Sequence, residues 1–147
     1  MAGKREGAAL SQQQVELLNQ TPVGHLATAD AHGRPHVIPF CFVCDGGIIY
    51  SALDAKPKSS NLRGLRRVRN ILANPQVSLV IDHYESDWSR LWYLMVQGNA
   101  ELLEPCPEQA AAISLLRGKY QQYREMDLEH SPVIKITPDR ATGWSGA

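Results

Sequence analysis

The segment Asp45-Gly46-Gly47, set between two apolar runs, limits what this chain can fold into more than any other feature. Two glycines after an aspartate accept the positive φ angles of a tight hairpin, so the chain must double back antiparallel at this point. The run before the turn, His36 to Val43, and the run after it, Ile48 to Leu53, are rich in β-branched and aromatic residues and read as paired strands. Upstream, Val23 to Ala29 reads as another strand, joined to the second by Asp30-Ala31-His32-Gly33-Arg34. Antiparallel strands arriving in immediate succession argue against βαβ crossovers.

Helical segments punctuate the strands. Ser11 with Gln14 three residues later forms a capping-box pattern and predicts an amphipathic helix that Thr21-Pro22 ends. From Ser59 to Ala73 the residues Leu62, Leu65, Val68, Ile71 and Leu72 recur at helical spacing, and Asn74-Pro75 closes the segment. Val77 to Ile81 and Leu91 to Leu103 predict two further strands. Pro105 and Pro107 stop the longer one and open a helix near Glu108, with Ala112, Leu115, Leu116, Tyr120 and Tyr123 as its apolar stripe. Val133 to Ile136 supplies a last strand. The expected fold is mainly β within the α+β class, a six-stranded antiparallel barrel with helices outside, because closing the sheet removes its edges.

At 147 residues one domain is expected, over 11–147, following a flexible N-terminus at 1–10. Lys plus Arg and Asp plus Glu number 15 each, so no global basic field draws the chain to nucleic acid or an anionic membrane. No apolar run reaches the length that spans a bilayer, and Met1 to Gly7 leads into no apolar stretch of signal-peptide length. Three cysteines, an odd number, do not make a secreted disulfide framework, and a cytoplasmic location is expected.

The chemistry concentrates in Asp54-Ala55-Lys56-Pro57-Lys58-Ser59-Ser60-Asn61-Leu62, between a strand and a helix. Two lysines fixed around a proline, beside hydroxyls and the free amides of a helix start, suit a phosphate; a solvated turn is the alternative. Arg63, Arg66, Arg67 and Arg69 extend the positive charge into the helix, without the aromatic interleaving of a single-strand nucleic-acid binder. Cys41 and Cys44 spell Cys-x-x-Cys, but in a strand such residues point to opposite faces, so packing rather than redox or zinc chemistry is expected. The five histidines show no pairing at metal spacing, and no Gly-x-Ser-x-Gly, Walker or Gly-x-Gly-x-x-Gly pattern is present.

Taken in order, Gly24-His25-Leu26-Ala27-Thr28-Ala29, Gly33-Arg34-Pro35-His36-Val37-Ile38-Pro39, Lys56-Pro57-Lys58 with Asn61-Leu62, and Asn74-Pro75 with Val80-Ile81-Asp82 resemble the pyridoxamine 5′-phosphate oxidase-like split-barrel proteins. Within these, Asp82 to Leu91 looks most similar to the branch that uses the deazaflavin coenzyme F420. The resemblance implies a split β-barrel homodimer with a cofactor at the subunit interface. It places the phosphate on Lys56, Lys58 and Asn61, and the ring along Ile38, Pro39 and Phe40, near Tyr50 and Ser51, with Trp88 and Trp144 as bordering aromatics. Tyr93 or Trp92 stands where the oxidase has a glutamine, so pyridoxamine phosphate is not the expected substrate.

What the resemblance implies is hydride transfer between F420, or alternatively FMN, and a small conjugated substrate, without a catalytic side chain because the cofactor carries the chemistry. A non-catalytic carrier of a cofactor or tetrapyrrole is the reading from another class. A homodimer is expected too, since strands around Phe40, Phe42, Ile49 and Tyr50 are apolar on both faces.

Overall fold

The computed structural model describes residues 9–54 and 61–147. Helix α1 (Gln12–Gln20) starts at the predicted capping box. The Ser11 hydroxyl accepts the Gln14 amide at 3.1 Å, and Gln14 Oε1 accepts the Ser11 amide at 2.9 Å. Strands β1 (Gly24–Ala29) and β2 (Pro35–Phe40) form the first hairpin, with Asp30 Oδ1 accepting the amides of His32 and Arg34 in the turn.

The second apolar run is not one strand. The chain leaves β2 at Phe40, and β3 (Val43–Asp45) pairs instead with β4 (Ile48–Ala52) across Gly46 and Gly47, whose φ values are 60° and 83°. The break lies at Cys41-Phe42. There the Phe42 amide donates to the Tyr120 hydroxyl at 3.0 Å and the Phe42 carbonyl accepts from Lys119 Nζ at 2.8 Å, so neither group serves a strand neighbour. This break makes seven described strands where six were expected.

A 3-10 turn (Leu62–Gly64) precedes α2 (Arg66–Ala73), which starts later than the periodicity implied. Then come β5 (Gln76–His83), β6 (Trp92–Leu103), α3 (Pro107–Lys119) and β7 (Val133–Ser145). The strand order is β2-β1-β5-β6-β7-β4-β3, antiparallel at every described pairing. Its two edge strands are consecutive in sequence, so the sheet must curl until β2 and β3 adjoin, which is a split barrel.

The last strand runs far past Ile136. A bulge opposite Gln97 and Gly98 absorbs Asp139, and Gly98 is required there because any side chain would strike the Thr137 carbonyl. Helix α3 buries Ala112 and Leu116 as expected, but Ile113 takes the place of Leu115, which stays exposed; Tyr120 and Tyr123 lie beyond the helix end.

Two apolar clusters result. The larger fills the barrel with Leu26, Phe42, Ile49, Leu79, Ile81, Leu94, Ile134 and Ile136, together with Val68 and Ile71 of α2. The smaller seals α3 against the outer side of β3, β4 and the start of β7, through Val43, Tyr50, Ala52, Leu116 and Val133. Phe40, Phe42, Ile49 and Tyr50 are thus buried within the chain itself. They leave no excess for a partner, and the apolar surface that stays exposed lies elsewhere.

Candidate functional site

Where β2 leaves the sheet, the break at Cys41 meets the end of β4 and the start of α2. Val23, Pro39, Phe40, Cys41, Ser51, Ala52, Asp54 and Arg67 enclose a cavity there of about 160 Å³. The Ser51 hydroxyl donates to the Cys41 carbonyl at 2.7 Å, which ties β4 to the break. From beyond α3 the Tyr123 hydroxyl donates to Asp54 Oδ2 at 2.6 Å and fixes the carboxylate. Arg67 comes from the first turn of α2 and has neither a hydrogen bond nor a close ion pair among the described residues. Burial pulls its pKa down and the Asp54 charge offsets this in part.

The electrostatics behind the cavity are unusual in one respect. Burial raises the Cys41 thiol, pushes the Cys44 thiol up to about 11 and the Tyr120 hydroxyl up to about 12, and raises Tyr123 further with help from Asp54. All these groups are therefore neutral at physiological pH. Among the described residues the charged groups around the wall are Asp54, Arg67 and the half-buried amine of Lys119.

A larger groove, of about 390 Å³, lies along the outer edge by Thr28, Asn74, Gln76, Ser78, Gln97 and Asp139. It has no cationic wall and takes in none of the residues that the sequence singles out as cofactor contacts. The smaller cavity has both an apolar wall and a cation.

The family model described as pyridoxamine 5′-phosphate oxidase matches residues 10–145. The chain belongs to this family. Among solved structures, the family member described here resembles a conserved hypothetical protein from Mycobacterium tuberculosis at 19% identity and TM-score 0.74, over 93% of this chain and 86% of that one. It also resembles an FAD-binding protein from Mesorhizobium loti, at 22% identity and TM-score 0.66, over 91% and 94%. The heme storage protein HutZ from Vibrio cholerae aligns at 19% identity and TM-score 0.64, over 91% and 93%. At these identities the likeness carries the fold. No curated protein matches the chain.

Of the oxidase-family contacts expected from sequence, Pro39, Phe40 and Ser51 line the cavity. Ile38 packs on the barrel core from its inner face. Tyr50, the neighbour of Ser51, points to the opposite face of β4, where its hydroxyl donates to Glu108 at 2.7 Å, away from the cavity. Asn61 is exposed and precedes the 3-10 turn; its side chain lies over Gly64 and makes no capping bond. Trp88, 68% exposed, sits in the β5–β6 connection and is not among the cavity residues. Lys56 and Lys58 lie outside the described residues. Sequence reasoning gave no cavity role to Asp54, Cys41 and Tyr123. Tyr123 had no local signal, since the bond that brings it to the site spans 69 residues.

Proposed function

We propose that the chain binds a flavin-type cofactor in the Pro39–Phe40–Ser51–Arg67 cavity and works as an oxidoreductase on a small conjugated substrate. The observation that carries this reading is the half-buried Arg67 guanidinium, without a partner among the described residues, set against flat apolar walls in a member of the pyridoxamine 5′-phosphate oxidase family. An anionic cofactor with a planar ring answers both features: the ring meets Phe40, Pro39 and Ala52, and the negative charge meets Arg67. Asp54 stands two residues before Lys56 in sequence, so the Lys56-Pro57-Lys58 stretch continues from the cavity wall and supplies further cations for a phosphate.

When bound, a flavin or deazaflavin supplies the hydride chemistry. The chain's own residues bind and orient it and exclude water, which fits a cavity whose thiol and phenols are held neutral. F420 is the favoured cofactor on the resemblance of Asp82 to Leu91, with FMN as the alternative. The expected assembly is a homodimer built on the outer sheet face, where Val37, Tyr93 and Trp144 remain exposed.

Titrating F420, FMN, riboflavin and hemin into the purified protein, with absorbance and fluorescence readouts, tests the reading. One of the phosphorylated flavins should bind with a defined stoichiometry. Lys58→Ala should weaken FMN by about 10- to 150-fold and riboflavin far less, the size of one charge-assisted bond to phosphate. Hemin binding alone, with neither flavin taken up, would replace the reading with that of a tetrapyrrole carrier.

A further inference from the structure

Lys119 helps to hold the Cys41-Phe42 break, but a neutral donor could serve there, and neither the fold nor the proposed chemistry gives its charge a use. It is the last residue of α3, and its ammonium reaches inward to the Phe42 carbonyl at 2.8 Å and the Leu18 carbonyl at 3.1 Å. It lies over the Phe42 ring, 3.9 Å from the centroid, and 5.2 Å from that of Tyr120. Among the described residues no carboxylate pairs with it. Phe42 is the immediate neighbour of Cys41, so the charge stands one peptide unit behind the wall of the cavity.

We propose that Lys119 is a specificity-determining residue of the cavity, its uncompensated charge favouring ligands that bring negative charge against the Phe40–Cys41 wall. The proposal rests on the reading of that cavity as the cofactor site. A half-buried cation held by two carbonyls and two ring faces lacks the counter-charge that ordinarily accompanies an ammonium drawn out of water. An anion beyond the wall supplies it across roughly 10 Å, about one Debye length at 0.1 M salt, so that salt screens the interaction only in part.

Protonation and anion binding must then reinforce one another. Burial lowers the Lys119 pKa to about 8. The groups that face it are Cys41 and Cys44, both shifted upward, Tyr120, pushed up to about 12, and Tyr123, raised further; Asp45 and Asp54 stand beyond the cysteines and Tyr123. Lys119 is thus the member of this cluster whose charge changes between about pH 7 and 9. The phosphate of FMN is already dianionic in that window, its second pKa being about 6. Affinity for FMN should therefore fall as pH rises through about 8. For the two phosphate charges roughly 10 Å away and an effective dielectric between about 40 and 80, the fall is about four- to fifteenfold.

FMN and riboflavin titrations from pH 7 to about 9.5 on wild type, Lys119→Arg and Lys119→Met test this, because Arg keeps its charge throughout and Met has none. Wild type should move from Arg-like tight binding at low pH to Met-like weak binding at high pH, while each variant stays level. A residue that merely packs gives three parallel profiles, which overturns the proposal but not the flavin reading. Failure of wild type to bind FMN at any pH overturns both. Should a variant misfold, trace acetylation of wild type read by mass spectrometry reports Lys119 directly. Saturating FMN should shift its reactivity midpoint upward, and an unmoved midpoint overturns the proposal.

Discussion

The two halves of the outer sheet face are finished differently. Over β3, β4 and the start of β7 the chain lays its own helix, and Val43, Tyr50, Ala52 and Val133 are buried together with Ala112, Ile113 and Leu116. Over β2, β1, β5 and β6 no described helix buries its apolar side. There Val37, Ala27, Ser78 and Gln97 stand side by side across the strands, and Asp82, Tyr93 and Trp144 form a second row. Val37 is 62% exposed, Trp144 49% and Tyr93 40%, the last two stacked with ring centroids 6.1 Å apart. One sheet thus carries a half that is complete within the chain and a half whose large apolar groups face outward, the arrangement expected where a second copy completes the burial.

The largest effect should come from the covered half. Leu116 is fully buried there, so Leu116→Ala removes its contacts and leaves a cavity, costing about 2–5 kcal/mol in urea unfolding. Leu115→Ala, on the exposed side of the same helix, should stay within about 0.5 kcal/mol. Equal losses for the two would mean that α3 does not cover the sheet as described.

That one-residue contrast also marks how far sequence could reach. The Ser11 capping box and the Gly46-Gly47 hairpin were legible because each is a local bond or a local φ requirement. The break at Cys41-Phe42 was not, because Lys119 and Tyr120 impose it from 77 and 78 residues away on an otherwise unbroken apolar run. The second half of β7 was hidden for the opposite reason. Thr137-Pro138-Asp139 reads as a strand end, and only the bulge opposite Gly98 lets the strand continue. The cavity was half legible: Pro39, Phe40 and Ser51 lie on strands whose order could be read, whereas Tyr123 depends on tertiary folding.

The bare half gives the next effect in size. Trp144→Ser combined with Val37→Asp should leave the chain folded, since both side chains face outward, but should weaken self-association by about tenfold or more if a partner covers them. Sedimentation at micromolar concentration reads this directly. A wild type that is already monomeric with cofactor bound would mean that the two halves differ in composition without differing in role.

The smallest effect belongs to the polar seam of the covered half. Glu108 accepts from the Tyr50 hydroxyl at 2.7 Å, and Lys135 Nζ lies 2.9 Å from the same oxygen. These bonds, that from Tyr50 first and that from Lys135 second, hold the Glu108 carboxyl below its ordinary pKa. A folded pKa below the unfolded one means that the unfolded chain binds more protons in the interval between them. The contribution is therefore complete above the ordinary glutamate value of about 4.3 and is lost as pH falls through the folded one. The Glu108 side chain is 40% exposed, so solvent screening keeps the pair below about 1 kcal/mol. Glu108→Gln preserves an acceptor for Tyr50 but removes the charge. Wild type should exceed the variant in urea unfolding by a few tenths of a kcal/mol, on the order of an exposed pair, at neutral pH. The two curves should converge once pH has fallen below the folded Glu108 pKa, where both side chains are uncharged. A difference that persists unchanged at that pH would show that shape, not charge, sets this seam, and the covered half would then be sealed by apolar packing alone.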